Sequence, residues 1–199
     1  YLGIEQARLA DGSFQNVQLA GLDTGTLTGR PMDMREGRIE DLRLPNAVVI
    51  DQVAVEKFRR KGIPVGIGTT FEINDKEARV VGICHVSRSF LGQPYIYTTY
   101  GRAMEYAKPS RKQLSYVLVG PVAGVSASDL AARISKLHGL RAISKDELFW
   151  MTVFWYVKNT GIPISFGTVV ILGVIVGIAI AGQTFYLFVY DNLRYLAAL

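Results

Sequence analysis

The most prominent feature of the hydrophobic pattern is a long apolar stretch near the end of the chain. Residues 159–190 include no charged side chain, and the stretch lies between Lys158 and Asp191. It exceeds the length of about 20 apolar residues with which a helix crosses the hydrocarbon core of a bilayer. The pattern therefore predicts a transmembrane helix over residues 164–190. A buried core helix is the alternative, but such a helix rarely extends this far without a polar face.

Before this stretch, residues 1–144 show short strand and helix patterns in alternation, which predict an α+β domain. The first two strands, 1–10 and 13–22, are joined at Asp11-Gly12, a dipeptide that favours a tight hairpin. Residues 23–46 have no sustained period and predict a loop with a single helical turn. The remaining predicted elements are a strand at 47–51, a helix at 52–61, strands at 69–75 and 77–86, a strand and helix over 94–107, a strand at 114–120, a helix at 126–139 and a strand at 140–144.

Residues 145–163 predict a stalk helix that ends in a hinge, because Gly161 and Pro163 interrupt the helical pattern. The stalk is polar at its start and strongly aromatic later. Its amphipathic rings suit either the headgroup boundary of a membrane or the packing of a protein core, and both interpretations stay open. These rings are Trp150, Trp155 and Tyr156.

Small residues recur one helical turn apart inside the predicted membrane helix, at Gly173, Gly177 and Ala181. Such spacing lets two helix backbones approach closely, which is how membrane helices associate without a hydrophobic driving force. The spacing predicts a packing face, with Gln183 and Thr184 as candidates for hydrogen bonds across it. One helix with such a face is expected to have partners.

The residues that most often carry catalysis or bind metals form no constellation in this sequence. His85 lies in an apolar strand pattern and His138 at the end of a helix, and neither has metal-ligand spacing to a cysteine or carboxylate. Cys84 and His85 alternate to opposite faces of a strand, so they do not form an adjacent nucleophile and base. As the sole cysteine, Cys84 forms no intrachain disulfide. We therefore expect no enzymatic activity and no metal site.

Two further patterns argue against nucleotide and nucleic-acid binding. The glycine-rich run GIPVGIGTT at 62–70 lacks the lysine that contacts phosphates in a P-loop, so a turn leading into a strand explains it better. The net charge of +5 is spread thinly, with short basic clusters at 59–61 and 108–112. A nucleic-acid face needs a longer basic stripe with interleaved aromatics. No cofactor and no nucleic-acid partner is expected.

The order of these parts and several local sequences resemble the permease subunits of the MacB/FtsX/LolE superfamily of ABC transporters. GQTFYLFVYDNLRYLAAL at 182–199 resembles their second membrane helix running into a cytoplasmic coupling segment. The usual Glu-Ile-Gly core of that segment is replaced by Tyr195-Leu196-Ala197, a departure that favours a subfamily near the DevC-type exporters. Four earlier stretches are similar to the family's extracytoplasmic pattern: VQLAGLD at 17–23, AVVIDQVAVEKF at 47–58, PVGIGTTFEINDKEARVVGIC at 64–84 and LRAISKDEL at 140–148.

The resemblance implies a permease in the bacterial plasma (inner) membrane that works with a separate ATPase of the ABC class, for export or mechanotransmission. Residues 1–144 are then an extracytoplasmic domain similar to the MacB periplasmic core, which also settles the orientation that the flanking charges leave open. Residues 191–199 begin the cytoplasmic coupling segment. The residues expected to contact the ATPase are Asp191, Asn192, Leu193, Arg194, Tyr195 and Leu196.

Family analogy further implies a second permease copy, a periplasmic adaptor protein and membrane lipid as partners. It also implies one membrane helix before Tyr1 and two after Leu199. The alternative is a single-span or tail-anchored binding or scaffold protein, with a natural C-terminus near Leu199 and its domain in the cytoplasm. A membrane-tethered enzyme is a weaker third hypothesis, because the sequence contains no catalytic constellation.

Overall fold

The computed structural model describes residues 1–89, 92–108, 114–138 and 140–196. The chain divides into two units, Tyr1–Val119 and Gly120–Leu199. Among the described residues, the first unit contains seven strands and two α-helices, and the second contains three α-helices. The strands are β1 (Leu2–Arg8), β2 (Phe14–Leu22), β3 (Asp33–Gly37), β4 (Ala47–Asp51), β5 (Thr70–Ile73), β6 (Lys76–His85) and β7 (Tyr95–Thr99). The helices are α1 (Gln52–Arg60), α2 (Tyr100–Tyr106), α3 (Ala127–His138), α4 (Lys145–Asn159) and α5 (Ile162–Leu196).

The seven strands form one sheet in the order β3-β6-β4-β7-β2-β1-β5. Because β5 pairs with β6 as well as with β1, the pairings of six strands close into a ring, and β3 lies outside it on the edge of β6. The pairs β2–β7 and β4–β6 are parallel, and the other pairs are antiparallel. The mixed α and β content confirms the predicted fold class.

Two hydrophobic clusters lie on opposite faces of the sheet. The larger one is covered by α1 and α2, which bury Phe58 and Tyr106 in it, and Phe58 meets Phe71 edge-on with ring centroids 5.9 Å apart. Full burial of a side chain such as Phe58 contributes about 1.5–3 kcal/mol. The second cluster lies beneath a short 3-10 helix, Ile39–Arg43, and contains Leu42 and Cys84.

Local sequence explains why the predicted turns and helix ends form where they do. The β1–β2 hairpin turns at Gly12, whose φ of 78° is in the left-handed region, as the Asp11-Gly12 pair predicts. The β5–β6 hairpin turns at Asn74 and Asp75, both with positive φ, which a two-residue type I′ turn requires. Asp51 begins α1 by accepting a hydrogen bond of 2.7 Å from the Ala54 N–H.

Serine hydroxyls cap the starts of α3 and α4 in the second unit. Ser126 caps α3, because its Oγ accepts the Asp129 N–H at 3.1 Å. Ser144 caps α4 in the same way by accepting the Glu147 N–H at 3.2 Å. Gly139, the last residue of the helix predicted at 126–139, lies outside the described residues.

Two strand predictions and part of one loop prediction were wrong. Residues 114–120 and 140–144 form no strand, and β3 lies where a loop was expected. The segment at 114–120 meets β1 through a side chain instead of a ladder, since the Ser115 hydroxyl binds both the N–H and the carbonyl of Leu2. The edge strand β3 escaped detection because it is charged and only partly buried, so it lacks an apolar alternation.

Candidate functional site

The helix α5 is long and apolar enough to cross a membrane. Its span, Ile162–Arg194, has a mean hydropathy of 2.6 over its most apolar window, and none of that window is buried within the described chain. At 1.5 Å per residue, the uncharged part from Ile162 to Tyr190 measures about 43 Å. That length exceeds the hydrocarbon core of about 30 Å, so the helix is long enough to cross it.

Polar side chains inside α5 mostly bind its own backbone. Ser165, Thr168 and Thr184 each donate to the carbonyl four residues earlier, at 3.0, 2.8 and 2.8 Å. These bonds remove most of the cost of placing a hydroxyl in hydrocarbon. Among the described residues, the amide of Gln183 has no such partner, so it is the polar group of the span that most needs one.

The predicted packing face is open in this chain. A Cβ added at Gly173 or Gly177 would meet no atom within 4 Å beyond the helix itself. Ala181, one turn further, is also exposed. With 3.6 residues per turn, Thr184 falls on this stripe and Gln183 lies roughly 120° away from it, so of the two only Thr184 is placed to bond across that face. The role of the stripe in packing stays a prediction.

The structure separates the stalk from the membrane helix at Thr160 and Gly161. α4 ends at Asn159, Thr160 is extended with φ −115° and ψ 147°, and α5 begins at Ile162. Pro163 lies inside the first turn of α5, where its missing N–H leaves no bond unmade. The break therefore coincides with Gly161 and precedes Pro163, and the hinge itself stays a prediction.

The predicted ATPase-contacting residues form the last turns of α5. Asp191, Leu193 and Arg194 are exposed, and the Asn192 amide donates to the Phe188 carbonyl at 2.8 Å. Asp191 and Arg194 are three residues apart, so they stand on the same side of the helix. The backbone of Tyr195 and Leu196 continues the helix, whereas residues 197–199 lie outside the described part of the chain. The contact of these residues with an ATPase stays a prediction.

The two neighbouring residues Cys84 and His85 have separate environments at the end of β6. Cys84 is fully buried, and burial, aided by the negative charge of Asp51, raises the pKa of its thiol to about 12. His85 is exposed on the opposite face, with its Nδ1 2.9 Å from the side-chain oxygen of Gln52. The pair thus forms no nucleophile and base. Within the described residues, no three His, Cys, Asp or Glu side chains are grouped to hold a metal ion.

The glycine-rich run at 62–70 uses its backbone N–H groups internally. The Gly66 N–H donates to the Thr69 hydroxyl at 3.1 Å, and the Gly68 N–H donates to the Val80 carbonyl of β6 at 2.7 Å. The run ends at the first residue of β5. Donors engaged in this way are not free to bind a phosphate, and the geometry is that of a turn leading into a strand.

Sequence reasoning missed a buried polar network in the first unit. The Glu5 carboxylate is only 2% exposed and accepts from the Tyr1 hydroxyl at 2.7 Å and from the Asn74 amide at 2.6 Å. The same Asn74 amide donates to the Tyr106 carbonyl at 2.6 Å, and the Tyr106 hydroxyl donates to the Glu77 carbonyl at 2.7 Å. The network ties β1, the β5–β6 turn and α2 together.

Comparison with known protein families assigns most of the chain to one of them. The family of MacB-like periplasmic core domains matches residues 3–137, which is more than half of the chain. The chain therefore belongs to that family, and the resemblance drawn from the sequence is confirmed at this level. The apolar helix that follows the family domain indicates a membrane protein whose first unit is extracytoplasmic.

Solved structures with similar folds include two extracytoplasmic parts of transporters. The extracellular domain of the noncanonic ABC-type transporter YknZ from Gram-positive bacteria is 16% identical, with a TM-score of 0.46 over 71% of this chain and 75% of that one. The periplasmic region of MacB from Actinobacillus actinomycetemcomitans is 16% identical, with a TM-score of 0.45 over 80% of this chain and 73% of that one. The chain matches none of the curated proteins.

Proposed function

We propose that this chain supplies the extracytoplasmic domain, the stalk and the second membrane helix of an ABC transporter permease. The permease couples ATP hydrolysis by a separate ATPase subunit to movement of its outer domain, for export or mechanotransmission. The observation that supports the proposal is the combination, in one chain, of a MacB-like periplasmic core domain at 3–137 with an apolar helix of 35 residues.

The helix α5 is the element through which movement passes in this proposal. It runs from Ile162 to Leu196, so a displacement at its cytoplasmic end reaches the other leaflet without crossing a loop. Asp191 and Arg194 present one acidic and one basic group on the same side of that end, which suits a charged groove on the ATPase. At the opposite end, Thr160 and Gly161 allow α4 to change direction relative to α5.

Further partners follow from the surfaces left open. The stripe of Gly173, Gly177 and Ala181 suits close packing against another membrane helix, either of the same permease or of a second copy. The extracytoplasmic unit is the part available to a periplasmic adaptor protein. We propose a permease dimer with two ATPase subunits as the assembly. In this assembly the stripe packs against another membrane helix, and the extracytoplasmic unit stays accessible to the adaptor.

The proposal is tested by purifying the intact protein from membranes and probing for a co-purifying ATPase of the ABC class. The test variant is Asp191→Lys with Arg194→Glu, which reverses both charges at the cytoplasmic end and leaves the net charge unchanged. Its matched control is Asp33→Lys with Arg35→Glu. That control reverses an exposed ion pair of 2.9 Å in the extracytoplasmic unit and also leaves the net charge unchanged.

We expect the ATPase to accompany the native protein and the 33/35 control, and to be lost from the 191/194 variant. If no ATPase accompanies the native protein, the permease loses its source of energy, and the single-span binding or scaffold protein becomes the better account. If both double variants lose the ATPase, the loss is not specific to the end of α5, and the proposed contact at Asp191 and Arg194 is rejected.

A further inference from the structure

The stalk helix α4 exposes an unusual number of large rings. Four aromatic side chains are each more than half exposed, and several contact each other, with centroids 5.5 Å apart for Phe149 and Trp150 and 6.0 Å apart for Trp150 and Phe154. Exposed apolar patches of this kind mark surfaces that bind a protein or a membrane. The four rings are Phe149, Trp150, Phe154 and Trp155.

The arrangement of these rings around the helix favours a surrounding medium over a single protein groove. With 3.6 residues per turn, Phe149, Trp150, Phe154 and Trp155 spread over about 240° of the helix circumference. A groove on a partner covers one face of a helix, as the anchors of groove-bound helices at spacings of three and four residues show. Lipid covers a helix from every side.

Charge along α4 is confined to its two ends. Residues 148–157 carry no charge. Lys145, Asp146 and Glu147 lie at the far end of α4, where acidic groups outnumber basic ones, and Lys158 lies at the end next to the membrane helix. The carboxylates are thus kept about 16 Å along the helix from Lys158, at the rise of 1.5 Å per residue. A lysine in this position is placed to meet lipid phosphates.

Chain connectivity keeps the aromatic end of α4 close to the bilayer. Only Thr160 and Gly161 separate the last residue of α4 from the first residue of α5, so Asn159 lies at most about 11 Å from Ile162. The indole N–H groups of Trp150 and Trp155 have no hydrogen-bond partner among the described residues. An amphipathic ring with a free donor is the kind that collects at the boundary between hydrocarbon and water.

We propose that α4, from Leu148 to Lys158, is immersed in the phospholipid headgroup layer of the leaflet in which α5 begins. Within this layer the rings of Trp150 and Trp155 contact lipid, and Lys158 meets the phosphates. This inference rests on the proposed membrane span of α5. It adds a lipid contact to the segment that leads into the membrane helix.

Tryptophan fluorescence tests this directly, because the sequence contains two tryptophans and both lie in α4. The chain is reconstituted into phosphatidylcholine vesicles whose acyl chains carry bromine either near the headgroup or near the terminal methyl. Trp150→Phe and Trp155→Phe leave one reporter each. Two controls start from the chain without tryptophan: Val176→Trp, at the middle of α5, and Phe14→Trp, on the exposed surface of β2.

Both native tryptophans are expected to lose several-fold more fluorescence to the shallow bromines than to the deep ones. Val176→Trp is expected to show the reverse preference, and Phe14→Trp to be quenched by aqueous acrylamide only. If acrylamide alone quenches Trp150 and Trp155 while Val176→Trp is quenched by deep bromines, α4 lies in water, and the inference is overturned while the membrane span stands.

Two other outcomes also overturn the inference, and together they show whether the membrane span of α5 fails as well. If neither bromines nor acrylamide quench Trp150 and Trp155, protein covers the rings. If Val176→Trp is not quenched by the deep bromines, α5 does not span the vesicle bilayer, and the proposed function fails together with the inference. Size-exclusion elution and far-UV circular dichroism equal to those of the native chain show that each variant is folded.

Discussion

The side-chain amide of Asn74 donates a hydrogen bond of 2.6 Å to the buried carboxylate of Glu5. The two residues are brought together by the ring of strands, since β1 pairs with β5 only at Ala7 and Arg8, next to the turn that holds Asn74. A second bond of 2.6 Å joins the Asn74 amide to the Tyr106 carbonyl at the end of α2. One side chain therefore satisfies two buried acceptors from separate elements.

Replacing Asn74 by glycine tests the contribution of this amide. Glycine keeps the positive φ of 48°, so only the two hydrogen bonds are lost. Leaving buried acceptors unsatisfied costs about 1–3 kcal/mol each. We expect a lower free energy of unfolding in urea, measured by circular dichroism in detergent. Asp75→Gly is the control, because it shares the turn and the positive φ, and it is expected to have a much smaller effect.

Asp51 supports a prediction about pH. It is 1% exposed, and burial raises the pKa of its carboxyl, opposed by the hydrogen bond from the Ala54 N–H. A carboxyl with a raised folded pKa contributes stability that is present below its unfolded pKa, about 3.9, and is lost as the pH rises through the folded value. Asp51→Asn keeps an acceptor for the cap and removes the charge.

We expect Asp51→Asn to abolish this loss, so that its stability at neutral pH equals or exceeds that of the native chain. Asp51→Ala removes the cap as well and is expected to be about 0.5–2 kcal/mol less stable than Asp51→Asn at acidic and neutral pH alike. Urea unfolding at pH 4 and pH 7 distinguishes the two variants. A native chain whose stability relative to Asp51→Asn is unchanged between these pH values would contradict the assignment.

Cys84 is predicted to be chemically inert in the folded chain. Its thiol is buried, and its pKa is raised to about 12, so very little of the reactive thiolate is present at pH 8. We expect a native chain to react with an aromatic disulfide reagent only as it unfolds. The matched control is Cys84→Ala with His85→Cys, which moves the thiol by one residue to the exposed face and is expected to react at once. Equal rates for the two thiols would contradict the burial of Cys84.

The break between α4 and α5 is predicted to act as a hinge. The Tyr156 carbonyl accepts both the N–H and the hydroxyl of Thr160, at 3.0 and 2.6 Å, and the extended backbone of Thr160 ends α4. Thr160→Ala with Gly161→Ala removes the hydroxyl and raises helix propensity, by about 1 kcal/mol at the glycine. We expect the distribution of distances between spin labels on α4 and α5 to become narrower and to approach the distribution of one continuous helix. Gly167→Ala, within α5, is the control and should leave the distribution unchanged.

Features set by neighbouring residues could be predicted from the sequence. The Asp11-Gly12 turn, the helix at 52–61 and the uncharged run before Asp191 each depend on propensity or composition within a short window. The same holds for Gly161, where the chain does break. The MacB-like fold could be predicted from the resemblance to a family, because that resemblance depends on the order of such local elements along the chain.

Features set by distant contacts could not be predicted. The strand β1 shows why: its apolar residues Leu2 and Ile4 are 45% and 40% exposed, while Glu5 is buried, the reverse of what alternation suggests. The reason is that Asn74 and Tyr1 supply donors to Glu5, and only the folded chain brings Asn74 there. At 114–120, where a strand was expected, the Ser115 hydroxyl bonds to the Leu2 backbone, a contact that only the folded chain brings about.

The central claim is that the end of α5 meets an ABC-class ATPase, and site-specific crosslinking in native membranes tests it most directly. A photoreactive amino acid placed at the exposed Leu193 is compared with one at Phe14, in the extracytoplasmic unit. The proposed function predicts a crosslink from residue 193 to a nucleotide-binding subunit, and none from residue 14. Crosslinks from residue 193 that never include such a subunit, in membranes where residue 14 crosslinks efficiently to its own partners, would contradict it.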